Sequence, residues 1–366
     1  MTRGSDIDVL VAGGGAFGLW TALACLRRGL RVAIADPGRI GAAGASLTPT
    51  GALAPHQPGR PTALKTLQAR ALAALPETLA ALEAETGRRL GHARPGRLSI
   101  LPDAAARERA EARLPALRAA QGEACAILAP GDWPAGWLEA PAAQFDPRTA
   151  RLDAPRLLAA LRAACEARGA RMLDGAALLN LAPGPEGFAL STGPLRAGRL
   201  ALATGAAAFA AAGLPGGPEH GQAARLALRA PPGAPLIMGR GLWIVPHADG
   251  TVGVGATAEK GRADLGLDAQ LESVIDRARA LCPVLREAPV LSRWAGLRPR
   301  AASRDPVVGP LPDRPHVIVV GGGQRIGLAL APACGEAAAA FLAEAPPPDW
   351  PDAFLPSAHL AARAPA

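Results

Sequence analysis

Val317-Ile-Val-Val-Gly-Gly-Gly-Gln-Arg-Ile-Gly-Leu-Ala-Leu-Ala-Pro332 is an apolar β-type run that enters a glycine turn and leaves it as a helix. Near the other end, Asp8-Val-Leu-Val-Ala-Gly-Gly-Gly-Ala-Phe-Gly18 does the same. Two such units at opposite ends of one chain imply that the backbone returns to a single site and closes it. Ahead of the second unit runs Arg293-Trp-Ala-Gly-Leu-Arg-Pro-Arg-Ala-Ala-Ser-Arg-Asp-Pro306, which reads as an arginine-rich loop.

The first unit carries Gly13-x-Gly15-x-x-Gly18 between an apolar strand and a helix. The first glycine permits a tight turn, the second lets backbone approach a pyrophosphate, and the third lets the helix pack on the strand. The helix N-terminus adds unpaired N–H groups and a positive dipole end. Arg31-Val-Ala-Ile-Ala35 is the next strand, and Asp36 closes it, placed to accept hydrogen bonds from the hydroxyls of an adenosine ribose. Residues 8–36 are thus a βαβ dinucleotide unit, with the identity of the dinucleotide left open.

Further along, helices are expected over 62–86 (interrupted at Pro76), 103–120, 151–168 and 264–282, and strands at 172–181 and 199–203. Arg225–Arg229, Gly241–Pro246 and Thr251–Gly255 read as antiparallel strands, with Ala248-Asp249-Gly250 as a hairpin turn. The fold expected is α/β: a discontinuous Rossmann-like nucleotide domain over 1–86, 146–212 and 292–366, with an inserted antiparallel β-rich substrate domain over 87–145 and 213–291.

The chain has 366 residues, 49% of them hydrophobic and 19% charged, the balance of an ordinary globular protein. Its net charge of +8 raises nucleic acid as a partner. However, the arginines are scattered, Lys65 and Lys260 are the only lysines, and tyrosine is absent. That pattern reads as GC-rich coding composition, and a nucleic-acid partner is not expected. Five widely spaced cysteines contain no Cys-x-x-Cys, which argues for a reducing compartment and against a zinc site. With no signal-like or membrane-spanning stretch, a cytoplasmic protein is expected, with a homo-oligomer possible in principle.

From Gly13 to Asp36, through Ala45-Ser46 and Gly51-Ala-Leu-Ala-Pro55, the chain resembles the FAD-dependent D-amino-acid oxidase superfamily. The resemblance resumes at Asp153-Ala-Pro-Arg-Leu-Leu158, Leu202-Ala-Thr-Gly-Ala206, Trp243-Ile-Val-Pro246 and Val252-Gly-Val-Gly-Ala-Thr257. It ends with Trp294-Ala-Gly-Leu-Arg-Pro299, Pro306-Val-Val-Gly309 and Gly321–Pro332. Bacterial glycine oxidase-like members are the nearest in character.

The resemblance implies FAD as cofactor. It puts Ser46 beside the pyrophosphate, the backbone of Leu178 at the adenine, and Thr204 and Gly205 at a second backbone contact. It brings Gly323, Gln324, Arg325, Ile326, Gly327 and Leu328 to the flavin ring. Arg298 would bind a substrate carboxylate bidentately, which suits a planar guanidinium fork. Arg325 would be a second anion contact, and Trp243 stands where relatives place an aromatic near substrate. The segment before Arg298 lacks the cysteine by which some relatives attach flavin, so non-covalent FAD is expected. His56, His220 and His247 are candidates for pH tuning.

These features imply oxidation of a small amino acid or secondary amine, of the glycine, sarcosine or D-amino-acid type, by hydride transfer to the flavin. O2 or another electron acceptor then takes the electrons. Two alternatives keep the flavin: oxidation of a modified tRNA wobble uridine, and a partner-dependent dehydrogenase.

Overall fold

The computed structural model describes residues 7–42, 44–345, 347 and 349–361. The chain opens with β1 (Ile7–Ala12), α1 (Ala16–Arg27) and β2 (Val32–Asp36), followed by the short β3 (Ala52–Leu53) and the long α2 (Ala63–Thr86). It leaves for a second sheet with β4 (Arg97–Leu101), α3 (Ala104–Gln121), β5 (Ala126–Leu128) and β6 (Ala142–Asp146). It returns through β7 (Ala150–Arg151), α4 (Ala154–Ala167), β8 (Arg171–Asp174), β9 (Phe188–Leu190), β10 (Gly193–Leu195), β11 (Ala197–Leu202) and α5 (Ala207–Ala212). A second excursion comprises β12 (Gly216–Ala227), β13 (Leu236–Gly239), β14 (Leu242–Pro246), β15 (Thr251–Gly255), β16 (Glu259–Lys260), α6 (Ala269–Leu281) and β17 (Val290–Ala301). Strands β18 (Val307–Leu311) and β19 (Arg314–Gly321) and helices α7 (Gly327–Leu342) and α8 (Pro356–Ala361) finish the chain.

The first sheet has six strands in the order β18-β19-β11-β1-β2-β8, parallel except for the β18–β19 hairpin. β1 sits at its centre and is buried on both faces, as a parallel strand between helical layers must be. Val9 and Val11 join the apolar layer built with α1, α2, α4 and α7. Leu10 and Ala12 point the other way, into a layer that includes Phe188 and Phe209. The second sheet is a nine-stranded mixed sheet whose third core layer packs against α6 through Leu271, Val274, Ile275 and Ala278.

Several elements differ from the sequence expectation. Helix α2 runs unbroken through Pro76, because Leu75, Leu79 and Leu82 form one buried stripe across it. Thr62 caps its start and Gly87, at φ +65°, ends it. Strand β8 stops at Asp174 rather than continuing to 181. Gly175, at φ +77°, turns the backbone so that its N–H donates to Gly38 O. Strand β12 starts nine residues before the expected Arg225, at Gly216.

The largest difference is the arginine-rich stretch. It is no loop: residues 290–301 form β17, paired antiparallel to β12 from Gly216↔Ala301 to Leu226↔Val290. The boundary expected at residue 292 therefore falls inside a strand of the second sheet, and the first sheet resumes only at β18. Among the described residues, no helix is long and apolar enough to cross a membrane.

Candidate functional site

The first glycine turn lies at the C-terminal edge of the parallel sheet, and its three glycines have distinct steric reasons. Gly13 holds φ +113°, and a Cβ there would stand 2.3 Å from Ala203 O at the end of β11. Gly15 is the N-cap of α1 and offers no side chain of its own. Ser46 supplies the missing acceptor, its Oγ taking the Ala16 N–H at 3.0 Å. A Cβ on Gly18 would lie 1.8 Å from Gly13 O, so only glycine lets α1 seat on its own turn.

Asp36 braces this turn, its two carboxylate oxygens accepting from Gly14 N at 2.7 Å and Gly38 N at 2.8 Å. Each oxygen keeps further lone pairs for an outside donor. Thr204 and Gly205 follow β11 beside Gly13, with Gly205 at φ +64°. Leu178 sits apart from them, in an isolated bridge to Leu190, half-buried against the layer containing Phe188.

The second glycine turn, between β19 and α7, forms one wall of a cavity of about 590 Å³. Gly323, Gln324, Arg325, Ile326, Gly327 and Leu328 line it together with Ala16, Phe17 and Ser46, so the starts of α1 and α7 converge. Gly323 is required by contact: a Cβ there would be 2.7 Å from the Phe17 ring. Ile326, the N-cap of α7, makes no capping bond, so the first turn of that helix offers its N–H groups and its dipole to the cavity. The arrangement suits FAD: glycine-cleared backbone for a pyrophosphate at α1, an acid for a ribose, and a positive helix end for a flavin ring.

The opposite wall is the second sheet. Met238, Trp243, Thr257 and Arg298 line it. Arg298 lies on β17 directly across from Glu219 of β12, so the two side chains share a face. Its side chain lies back over Gly221, where a Cβ would stand 2.1 Å from Nη2. Nη1 donates to Thr257 O at 3.1 Å and stands 3.6 Å from Glu219 Oε1. Nε and Nη2 make no hydrogen bond among the described residues.

Glu219 was not among the residues the sequence singled out, yet it organises this wall. It is 2% exposed, accepts from Gln324 Nε2 at 2.9 Å and Arg325 Nε at 3.1 Å, and faces Arg298. Burial works to raise its pKa, but the Arg325 charge, the two hydrogen bonds and the Arg298 charge outweigh it and hold the carboxyl below the usual glutamate value. The turn and β17 are also joined by the Gln324 N–H, which donates to Pro299 O at 3.0 Å. Gln324 pays a conformational cost for this, at φ +40°.

Trp243 is propped from behind by Arg97, whose guanidinium is 5.6 Å from the indole centroid and is itself paired with buried Asp146 at 3.0 Å. The three candidate histidines do not line this cavity. His247 Nε2 meets Pro49 O at 2.8 Å, and burial lowers its pKa, so it acts as a brace for the loop beneath Gly51. His220 pairs with Glu259 at 3.3 Å. His56 lines a neighbouring cavity of about 600 Å³ on the other side of Gln68. That cavity touches neither glycine turn and lacks both helix starts, which makes the 590 Å³ cavity the candidate site. No cysteine lines either one, and no metal-competent cluster occurs among the described residues.

The sequence matches a model of the FAD dependent oxidoreductase family, DAO, over residues 8–341. The chain belongs to this family. Among curated relatives, the bifunctional protein ThiO/ThiG of Nostoc sp. is 30% identical over 91% of the chain. The chain spans 51% of that relative's length, about half. The glycine oxidase of Geobacillus kaustophilus is 28% identical, with 90% of each chain covered. In structure, the crystal form of the Geobacillus kaustophilus glycine oxidase superposes with a TM-score of 0.86 at 24% identity, covering 95% of this chain and 98% of that one. Iminodiacetate oxidase from Chelativorans sp. gives 0.82 at 24% identity, over 95% and 98%. The chain is therefore an FAD-dependent oxidoreductase with the DAO-family α/β fold.

Proposed function

We propose that this oxidoreductase oxidises a small amino acid or secondary amine of the glycine or sarcosine type. The observation that carries this reading is Arg298: a largely buried guanidinium with two unpaired donor nitrogens, on the cavity wall facing the start of α7. A buried, forked cation without a full set of partners is suited to a carboxylate. The names of the relatives, glycine oxidase and ThiO, support the same substrate class.

On this reading Arg298 fixes the substrate carboxylate, and Trp243 and Met238 close the apolar side around the α-carbon. FAD, when bound, supplies the electron sink that accepts the α-hydride, with O2 or another acceptor reoxidising it. The open first turn of α7 favours negative charge at the ring edge that it faces. The chain's task is orientation, since fixing the reacting atoms removes much of the barrier. Among the described residues no carboxylate or histidine lines the cavity, so on this reading the amine enters neutral or loses its proton to solvent. FAD would be held without a covalent bond, in keeping with five buried cysteines that lie off the cavity.

The test is anaerobic bleaching of the flavin by glycine, sarcosine, D-alanine and D-proline, followed by H2O2 measurement on admitting air. Bleaching by at least one of them is expected. A holoenzyme that none of these amines reduces would overturn the proposal. Bleaching without H2O2 would move the assignment from oxidase to dehydrogenase.

A further inference from the structure

Among the described residues two cations and no acid line the cavity: Arg298 and Arg325. One acid stands directly behind them. Glu219 is 2% exposed and touches both guanidinium groups as well as Gln324. The strand register fixes this placement, since Glu219 and Arg298 are directly paired across β12 and β17. The missing Cβ at Gly221 then lets the arginine lie back toward its counter-ion. We propose that Glu219 is a specificity-determining residue that sets the cavity's charge for substrates carrying one carboxylate and disfavours those carrying two. The inference rests on the carboxylate-binding role given to Arg298 above.

With Glu219 ionised, the two arginines and one glutamate leave a single net positive charge at the wall. One substrate carboxylate neutralises it. A second would stand at a partly buried wall without a counter-charge, which is unfavourable. A role as general base does not fit Glu219. Oε1 and Oε2 are each engaged by a cationic or amide donor, and the residue is closed off from the cavity. A purely structural tie between β12 and the flavin turn would weaken binding of all carboxylates alike, which is the distinction the experiment uses.

The holoenzyme is titrated with acetate and with malonate (acetate bearing a second carboxylate), and binding is read from perturbation of the flavin absorbance. Wild-type protein is expected to prefer acetate. Glu219→Gln should raise malonate affinity relative to acetate by about tenfold, the size expected for one partly screened charge at this range. Arg325→Gln, at a side chain that is 62% exposed and so replaceable without loss of the fold, should move the ratio the opposite way. Glu219→Asp should keep the wild-type preference. If Glu219→Gln leaves the ratio unchanged, the proposal is overturned whatever Arg325→Gln does; should that variant not fold, equal or tighter binding of malonate by the wild-type protein overturns it. Arg298→Ala separates the two readings. Acetate binding that is lost in Arg298→Ala, with an unchanged ratio in the other variants, keeps the carboxylate anchor and removes only the charge-setting role. Acetate binding indifferent to Arg298→Ala removes both.

Discussion

Arg298 and Gly221 make a pair whose roles can be separated by substitution. Arg298→Ala removes a charge-assisted contact of about 1.5–3 kcal/mol, so KM for a carboxylate substrate should rise about 10- to 100-fold. Gly221→Ala keeps the charge but drives a methyl to within 2.1 Å of Nη2. The guanidinium is the free end of a flexible side chain and can swing away, so Tm should hardly move while KM rises toward that of the Arg298 variant. Steady-state kinetics beside thermal melts would check both; an unchanged KM in Gly221→Ala would contradict the geometry. Glu219 adds a pH dependence. Its pKa is held below the ordinary 4.5, so its stabilising contribution is complete above that value and is lost as pH falls further below it. Thermal melts between pH 3 and 6 should show Tm falling below about pH 4.5, with a shallower fall in Glu219→Gln. The sequence could single out Arg298, which the fold places on the cavity wall, because its motif is local. It could not single out Glu219, because its meaning comes from a register between strands 79 positions apart in the chain.

At the scale of elements, the glycine turns were readable because each glycine answers a local demand that the sequence displays in order. Gly18→Ala would press a Cβ to 1.8 Å from Gly13 O, a backbone atom that cannot swing aside. A loss of about 1–3 kcal/mol and release of FAD are expected, read by flavin fluorescence and melting. The β17 stretch was misread for a physical reason. Arg293, Arg298, Arg300 and Pro299 give it little apolar alternation, and alternation is the usual mark of a strand. Its stability comes instead from eleven register pairs with β12, which no local pattern reveals. The same holds for β8, where an apolar run continues past Asp174 but Gly175 turns the backbone.

At the scale of the whole molecule, the five cysteines are all buried and free. Burial pushes the thiols of Cys25, Cys165 and Cys282 up to about 12, and raises Cys125 and Cys334 as well. None is a thiolate at neutral pH, so native protein should not react with a thiol reagent, whereas denatured protein should titrate all five. Denaturation should also release the flavin into the supernatant; flavin retained on the precipitated chain would contradict non-covalent binding. The two-sheet division was legible in outline, since βαβ patterns alternate with hairpin patterns along the sequence. We propose a two-domain organisation whose last crossing follows Ala301, because β17 belongs by hydrogen bonding to the second sheet.

That shared strand has a consequence for how the molecule can be taken apart. The backbone passes between the sheets after α2, after β6, after α5 and after β17. Neither sheet is therefore encoded by a continuous stretch of gene, and neither can be excised, swapped or expressed as a single fragment. A new substrate wall cannot be grafted here as a module. It has to be evolved in place, with changes on β12 or β17 answering to the glycine turn at Gln324 and Arg325 that both strands hold.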